Sequence, residues 1–205
     1  MNYYLGDLHF CHNAVLAFDN RPFADVMEME ETMIANWNSA VKPKDTVYIL
    51  GDFCWGKRDE WLRIIQRLRG QKVLIEGNHD LKQYPQELRN CFADIKPYKE
   101  VEDLGRKVIL SHYPILFYKH SNSPKYYMLC GHVHVTKENE LLERFIAELK
   151  ETQTNVEDGA FVHCAQIYNV GCMMPWMQYT PRTLDEIISR RSQYLQKLEL
   201  SAVKE

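Results

Sequence analysis

The sequence predicts an α/β fold on two observations. Short apolar or β-branched runs alternate with longer stretches of helical periodicity, and the first five of those runs each stop at a cluster of Asp, Asn or His. Strand ends are how a scaffold brings residues distant in sequence to one point, so the second pattern bears on function as well as fold.

The strand-like runs are residues 2–5, 46–50, 72–75, 107–110, 126–130 and 164–170. The first long helix starts at Asp25, which can cap while Glu28 supplies the other half of a capping box, and Val26, Met29, Met33, Trp37 and Val41 form its inner face. Pro43 closes the turn into the next strand. Residues 59–69 form a second helix with Trp61, Leu62, Ile65 and Leu68 inward. After the last ligand cluster, Leu141, Leu142, Phe145, Ile146 and Leu149 mark another helix, and the polar stretch 152–159 reads as a mobile loop. The box Thr183-Leu-Asp-Glu186 opens a final helix with Leu184, Ile187, Ile188, Leu195 and Leu198 on one stripe. No repeat, low-complexity tract or linker divides the chain, so residues 1–205 are expected to form one domain, with a partial lid at 137–161.

Composition sets the class. A chain of 205 residues that is 45% hydrophobic can bury one sizeable core. The net charge of −3 gives no electrostatic mandate for nucleic acid or a membrane surface. Six cysteines without a Cys-x-x-Cys pair argue against a thiolate zinc site and a redox dithiol, and most are expected to be small buried hydrophobes in a reducing compartment. The residues before Gly6-Asp7 lack a basic segment and a leader-length apolar run, and no stretch has membrane-spanning length, so the expected location is the cytoplasm.

The ligand clusters occur in the order Asp7-x-His9, Gly51-Asp52, Gly77-Asn78-His79-Asp80, His112 and Gly131-His132-Val133-His134. Five of the eight histidines fall inside them, which favours a shared site over scattered packing roles. Carboxylate mixed with imidazole suits borderline ions such as Zn²⁺, Mn²⁺ and Fe, whereas an all-oxygen set would favour Mg²⁺ or Ca²⁺. Asp7, His9, Asp52, Asn78, His112, His132 and His134 are too many for one tetrahedral ion. Two ions about 3.5–4 Å apart, bridged by one carboxylate, would use the whole set. At a strand end the spacing Asp7-x-His9 would place both side chains on one face, as would His132-x-His134.

Together these blocks resemble the signature of the calcineurin-like metallophosphoesterases. The resemblance implies a four-layer α/β/β/α sandwich of two facing mixed sheets flanked by helices. It implies one metal on Asp7, His9 and His134, another on Asn78, His112 and His132, and Asp52 between them. A solvent hydroxide held between the ions would be the nucleophile, and His79 the imidazole that contacts phosphate and protonates the leaving oxygen. Asp80 could accept the second N–H of His79 and fix its tautomer. The segments Arg21-Pro22-Phe23, Asn36-Trp37-Asn38, residues 47–52 and Asn169-Val170-Gly171 are similar to a small single-domain bacterial and phage subgroup of the same superfamily.

Around that set, two residues are candidate substrate contacts. His12 could reach over the metals to touch phosphate or could simply pack, and Arg21 could hold a phosphate oxygen or pair with an acid in its loop. His120 and His163 fit no block and read as structural. The segment with Lys57, Arg58, Arg63, Arg67, Arg69 and Lys72 reads as a solvated helix face rather than a nucleic-acid groove. The expected function is hydrolysis of a small phosphodiester or phosphomonoester with two divalent ions, Mn²⁺ first, with Zn²⁺, Fe or Ni²⁺ as alternatives. A nuclease or nucleic-acid end-processing phosphatase is the alternative enzyme, and a non-catalytic metal-stabilised binding module is the alternative from another class.

Overall fold

In the computed structural model, which describes residues 1–157 and 159–202, two four-stranded sheets carry the fold. The first contains β1 (Asn2–Leu5), β2 (Thr46–Leu50), β3 (Gln71–Ile75) and β4 (Asp94–Lys96) in that order, all parallel. The second runs β10 (Ile167–Asn169), β7 (Tyr126–Cys130), β6 (Arg106–Ser111), β5 (Tyr98–Asp103), with only β5 antiparallel to its neighbour. Only the second sheet is therefore mixed. The two meet where Gly6 bridges Gly171, just past β1 and β10.

Alternation along the second sheet assigns its faces. Val108, Leu110 and Leu129 join the large cluster shared with Tyr4, Ile49 and Leu74 of the first sheet, while Ile109, Met128 and Cys130 pack with Leu142 and Ile146 of α5 (Lys137–Glu151). The helices α2 (Val26–Ala40) and α3 (Arg58–Ile65) bury Met29, Met33, Trp37, Trp61 and Ile65 in the same large cluster. Two four-stranded sheets with helices packed on them agree with the α/β sandwich that the resemblance implies. Each fully buried Leu or Ile side chain supplies roughly 1.5–3 kcal/mol to this arrangement.

Helix ends follow their sequence signals closely. The Asp25 carboxylate accepts the Glu28 amide at 2.8 Å, and Glu28 returns to the Ala24 amide at 2.6 Å. At α6 (Leu184–Ala202) the Thr183 amide donates to Glu186 at 2.9 Å. The α6 stripe stops short of its expected length, because Leu198 is exposed. The helix expected over 59–69 spans Arg58–Ile65 and continues as turns that still bury Leu68. The strand expected over 164–170 shrinks to Ile167–Asn169, since Ala165 adopts φ of 46° and the Cys164 amide turns to the Ser121 carbonyl. The stretch read as a mobile loop instead forms a hairpin of β8 (Gln153–Val156) and β9 (Gly159–Val162). The six thiols are free, and three of them, Cys54, Cys130 and Cys172, are buried. No described helix is long and apolar enough to cross a membrane.

Candidate metal centre

Five loops leave the strand ends at one edge of the two sheets. Past β1, β2, β3, β6 and β7 they carry Asp7 and His9, Asp52, Asn78, His112, and His132 and His134. Asp7, His9, Asp52 and His134 are all buried, and each offers one donor atom within 4.8 Å of the others. The Asp52 Oδ2 atom stands between two imidazoles, 3.6 Å from His9 Nε2 and 3.6 Å from His112 Nε2. On the His112 side, Asn78 Oδ1 lies 2.9 Å from His112 Nε2, and the His132 ring centroid is 5.0 Å from that of His112.

Strand alternation does not bring these side chains together. Asp7, His9, Asp52, His132 and His134 instead all have left-handed backbones, with φ between 41° and 71°. Non-glycine residues seldom adopt this conformation, and runs of it persist where surrounding structure enforces them at functional sites. The approach is close enough to require glycine opposite. A Cβ at Gly131 would stand 2.4 Å from Asp7 Oδ2, and one at Gly77 would stand 2.3 Å from Asp52 Oδ1.

The ring protons are accounted for away from the centre. His112 Nδ1 donates to the Leu50 carbonyl at 2.9 Å, and His134 Nδ1 donates to Asp19 Oδ1 at 2.8 Å. In neutral rings this leaves both Nε2 lone pairs facing inward, toward Asn78 and Asp52 for His112 and toward His9 Nε2 at 3.3 Å for His134. Acceptors facing acceptors in a buried pocket fit a cation. Burial, and next the His134 imidazole, push His9 down to about 2, while burial and then His112 lower His132, so both rings favour the neutral form. Burial also raises the Asp7 carboxyl, against the pull of His134 and His112. His134 is raised: burial lowers it, but the Asp19 hydrogen bond and the Asp7 carboxylate outweigh that.

A family model for the calcineurin-like phosphoesterases matches residues 3–159, which takes in every one of these loops. The chain belongs to the calcineurin-like phosphoesterases. It is similar to an uncharacterized protein of Methanocaldococcus jannaschii, 42% identical over 80 residues that make up 38% of this chain and 46% of that one. It is also similar to the gene 66 protein of Mycobacterium phage L5, 35% identical over 81 residues, 38% of this chain and 39% of the relative. Each match spans less than half the length of the curated relative. Among solved structures, a protein of unknown function from Aquifex aeolicus aligns with a TM-score of 0.58 and 27% identity, covering 92% of this chain and 98% of that one.

Two expected roles in this calcineurin-like site change on inspection of the contacts. Arg21 does not face the open site: it is 4% exposed, and its guanidinium donates to the Asp7 carbonyl at 2.8 Å, the Leu8 carbonyl at 2.8 Å and Asp19 at 2.9 Å. The second reading of Arg21, pairing with an acid in its loop, is the one the geometry favours. Asp80 makes no hydrogen bond to His79 either. Its carboxylate accepts the amides of Gly77 at 2.8 Å, Phe53 at 2.8 Å and Asp52 at 3.1 Å, stapling two of the ligand loops, and burial pushes it up to about 6. His79 is exposed beside Trp55, and its amide donates to Asp52 Oδ1 at 2.9 Å. His12 lies over the cluster with its Nδ1 3.3 Å from that of His9. His163 pairs with Ser121 at 2.6 Å and His120 packs on Tyr126, both apart from these loops.

The residue that sequence reasoning missed is Asp19. It is the shared acceptor of His134 and Arg21, with a fully enclosed side chain, 1% exposed. No motif marks it, and only the acid partner considered for Arg21 hinted at it. Asp19→Asn should keep the fold but weaken divalent ion binding about 10–100-fold, the usual effect of removing the acceptor that orients a histidine ligand. Metal titration followed by calorimetry checks this. An unchanged affinity would deny Asp19 that orienting role.

Proposed function

We propose that the protein is a dinuclear metal-dependent phosphoesterase acting on a small phosphoester. The observation that carries this reading is the position of Asp52 Oδ2, 3.6 Å from the His9 Nε2 atom and 3.6 Å from that of His112. Asp7, His9 and His134 would hold one ion, Asn78, His112 and His132 the other, and Asp52 both; the mixed carboxylate and imidazole set favours Mn²⁺, with Zn²⁺, Fe and Ni²⁺ as competitors. Such ions supply Lewis acidity toward a phosphoryl oxygen and lower the pKa of solvent near neutral pH. The chain's residues then do the positioning. His79, exposed and tied by its amide to Asp52, would protonate the leaving alkoxide, and His12, 3.3 Å from His9, would touch a phosphate oxygen. Arg21 and Asp80 hold the loops rather than the substrate. The whole chain, 1–205, acts as one domain, and α5 with the following hairpin forms at most a partial lid.

A small diester is the preferred substrate class. With Arg21 withdrawn, His12 is the one candidate contact that remains beside the metals, which suits the single charge of a diester better than the two of a monoester. The nucleic-acid alternative is weakened by the basic segment itself: Arg58 pairs with Glu87, Arg63 with Glu30 and Arg67 with Glu31. Exposed His79 counts against a silent binding module. Turnover of activated monoester, diester and cyclic-nucleotide substrates should be compared across Mn²⁺, Zn²⁺, Ni²⁺ and Mg²⁺. The diester should be turned over faster than the matching monoester, with weak salt dependence because few counterions are released. Steep salt dependence with processing of DNA or RNA would move the assignment to a nuclease.

A further inference from the structure

Three exposed aromatic rings surround the Asp and His cluster. Phe18, Trp55 and Tyr113 are 57%, 48% and 49% exposed. Large apolar side chains left in solvent singly need no explanation, but a group of them around one polar cluster does. Trp55 lies face to face with His12, centroids 4.1 Å apart and planes 9° from parallel, and its ring is 4.6 Å from that of His79. Phe18 stands 5.7 Å from both His12 and His134, on the same side. Tyr113 stands on the other side, 4.6 Å from His132 and 5.1 Å from His112.

Trp55 is also held in place. Its amide donates to the Phe10 carbonyl at 2.8 Å, which ties the loop carrying Asp52 to the one carrying His9 and His12. One indole face is stacked on His12, and Trp55 as a whole remains 48% exposed. No described salt bridge engages His12 or His79, so the rim offers flat π surface rather than a charge pair.

We propose that Trp55, backed by His12, is a stacking platform for a planar aromatic or heteroaromatic ring on the substrate, of the nucleobase kind. Phe18 and Tyr113 bound the same mouth. This deepens the phosphoesterase reading and rests on it for the position of the phosphate. Stacking explains why an uncapped site with few cations can still select its substrate, since a π face adds affinity without adding charge. An aliphatic substituent would gain only the area it covers.

Calorimetric titration of the Mn²⁺-loaded protein with adenosine 5′-monophosphate and with ribose 5-phosphate isolates the ring, because the two share sugar and phosphate. The nucleotide should bind roughly 10- to 100-fold more tightly. Trp55→Leu should bring that ratio down toward one, and Trp55→Phe should restore part of it. Equal affinities in the unaltered protein would overturn the proposal. So would a Trp55→Leu variant that weakens both ligands alike, since Trp55 would then only position His12 and His79. Absence of turnover on every monoester and diester tested, alongside an intact ring preference, would fault the phosphoesterase reading and leave the platform standing.

Discussion

Asp52→Asn should abolish most turnover while leaving the fold intact. The substitution is isosteric, so the His79 amide can still find an oxygen at this position. The negative charge between His9 and His112 is lost, however, and an amide NH₂ is placed where an acceptor stands 3.6 Å from each imidazole. A bridging carboxylate neutralises two cations at once, a contribution of several kcal/mol, so the rate should fall on the order of 10³-fold or more. Metal analysis should find at least one ion per chain missing. Full activity, or an undiminished metal content, would remove Asp52 from the bridging position.

A second large effect is expected at His79, with a different signature. His79→Asn removes an imidazole that makes no contact with the buried donor group through its ring nitrogens, so both ions should stay bound. Turnover should fall about 10²–10⁴-fold, the range for a lost general acid. The loss should be greatest for alkoxide leaving groups and small for nitrophenolate, which departs without a proton. Equal losses on both leaving groups would make His79 a phosphate contact, and loss of metal would make it a ligand.

The strand ends that carry these loops are legible because the runs before them are apolar and, for four of the five, close on a Gly-Asp, Gly-Asn or Gly-His pair, the exception being Ser111-His112. What escaped was polar or marginal. β4 has three residues, and β5 at a sheet edge alternates exposed with half-buried positions, so neither gives a core signal. The β8–β9 hairpin is nearly all exposed and was disguised by its Asn, Gln and Gly residues. Among site residues, the clusters were visible but their backbone was not: period-two alternation suggests a strand, whereas Asp7, His9, His132 and His134 converge through left-handed turns. For Arg21 the sequence leaves a phosphate contact and an acid partner both open, and for Asp80 it suggests the ring of His79, because sequence cannot show which buried charges are satisfied by backbone groups. Asp19 and Trp55 carry no motif, and the histidines they meet, His134 and His12, come from elsewhere in the chain.

Metal stoichiometry measured together with rate tests the central claim most directly. Protein stripped by chelation should be titrated with Mn²⁺ while bound metal is counted by mass spectrometry and hydrolysis of a nitrophenyl diester is followed. Turnover should be absent at the start, rise with metal and level off as the second ion per chain is filled. Substantial turnover in the stripped protein, or a plateau reached with the first ion alone, would contradict a dinuclear phosphoesterase.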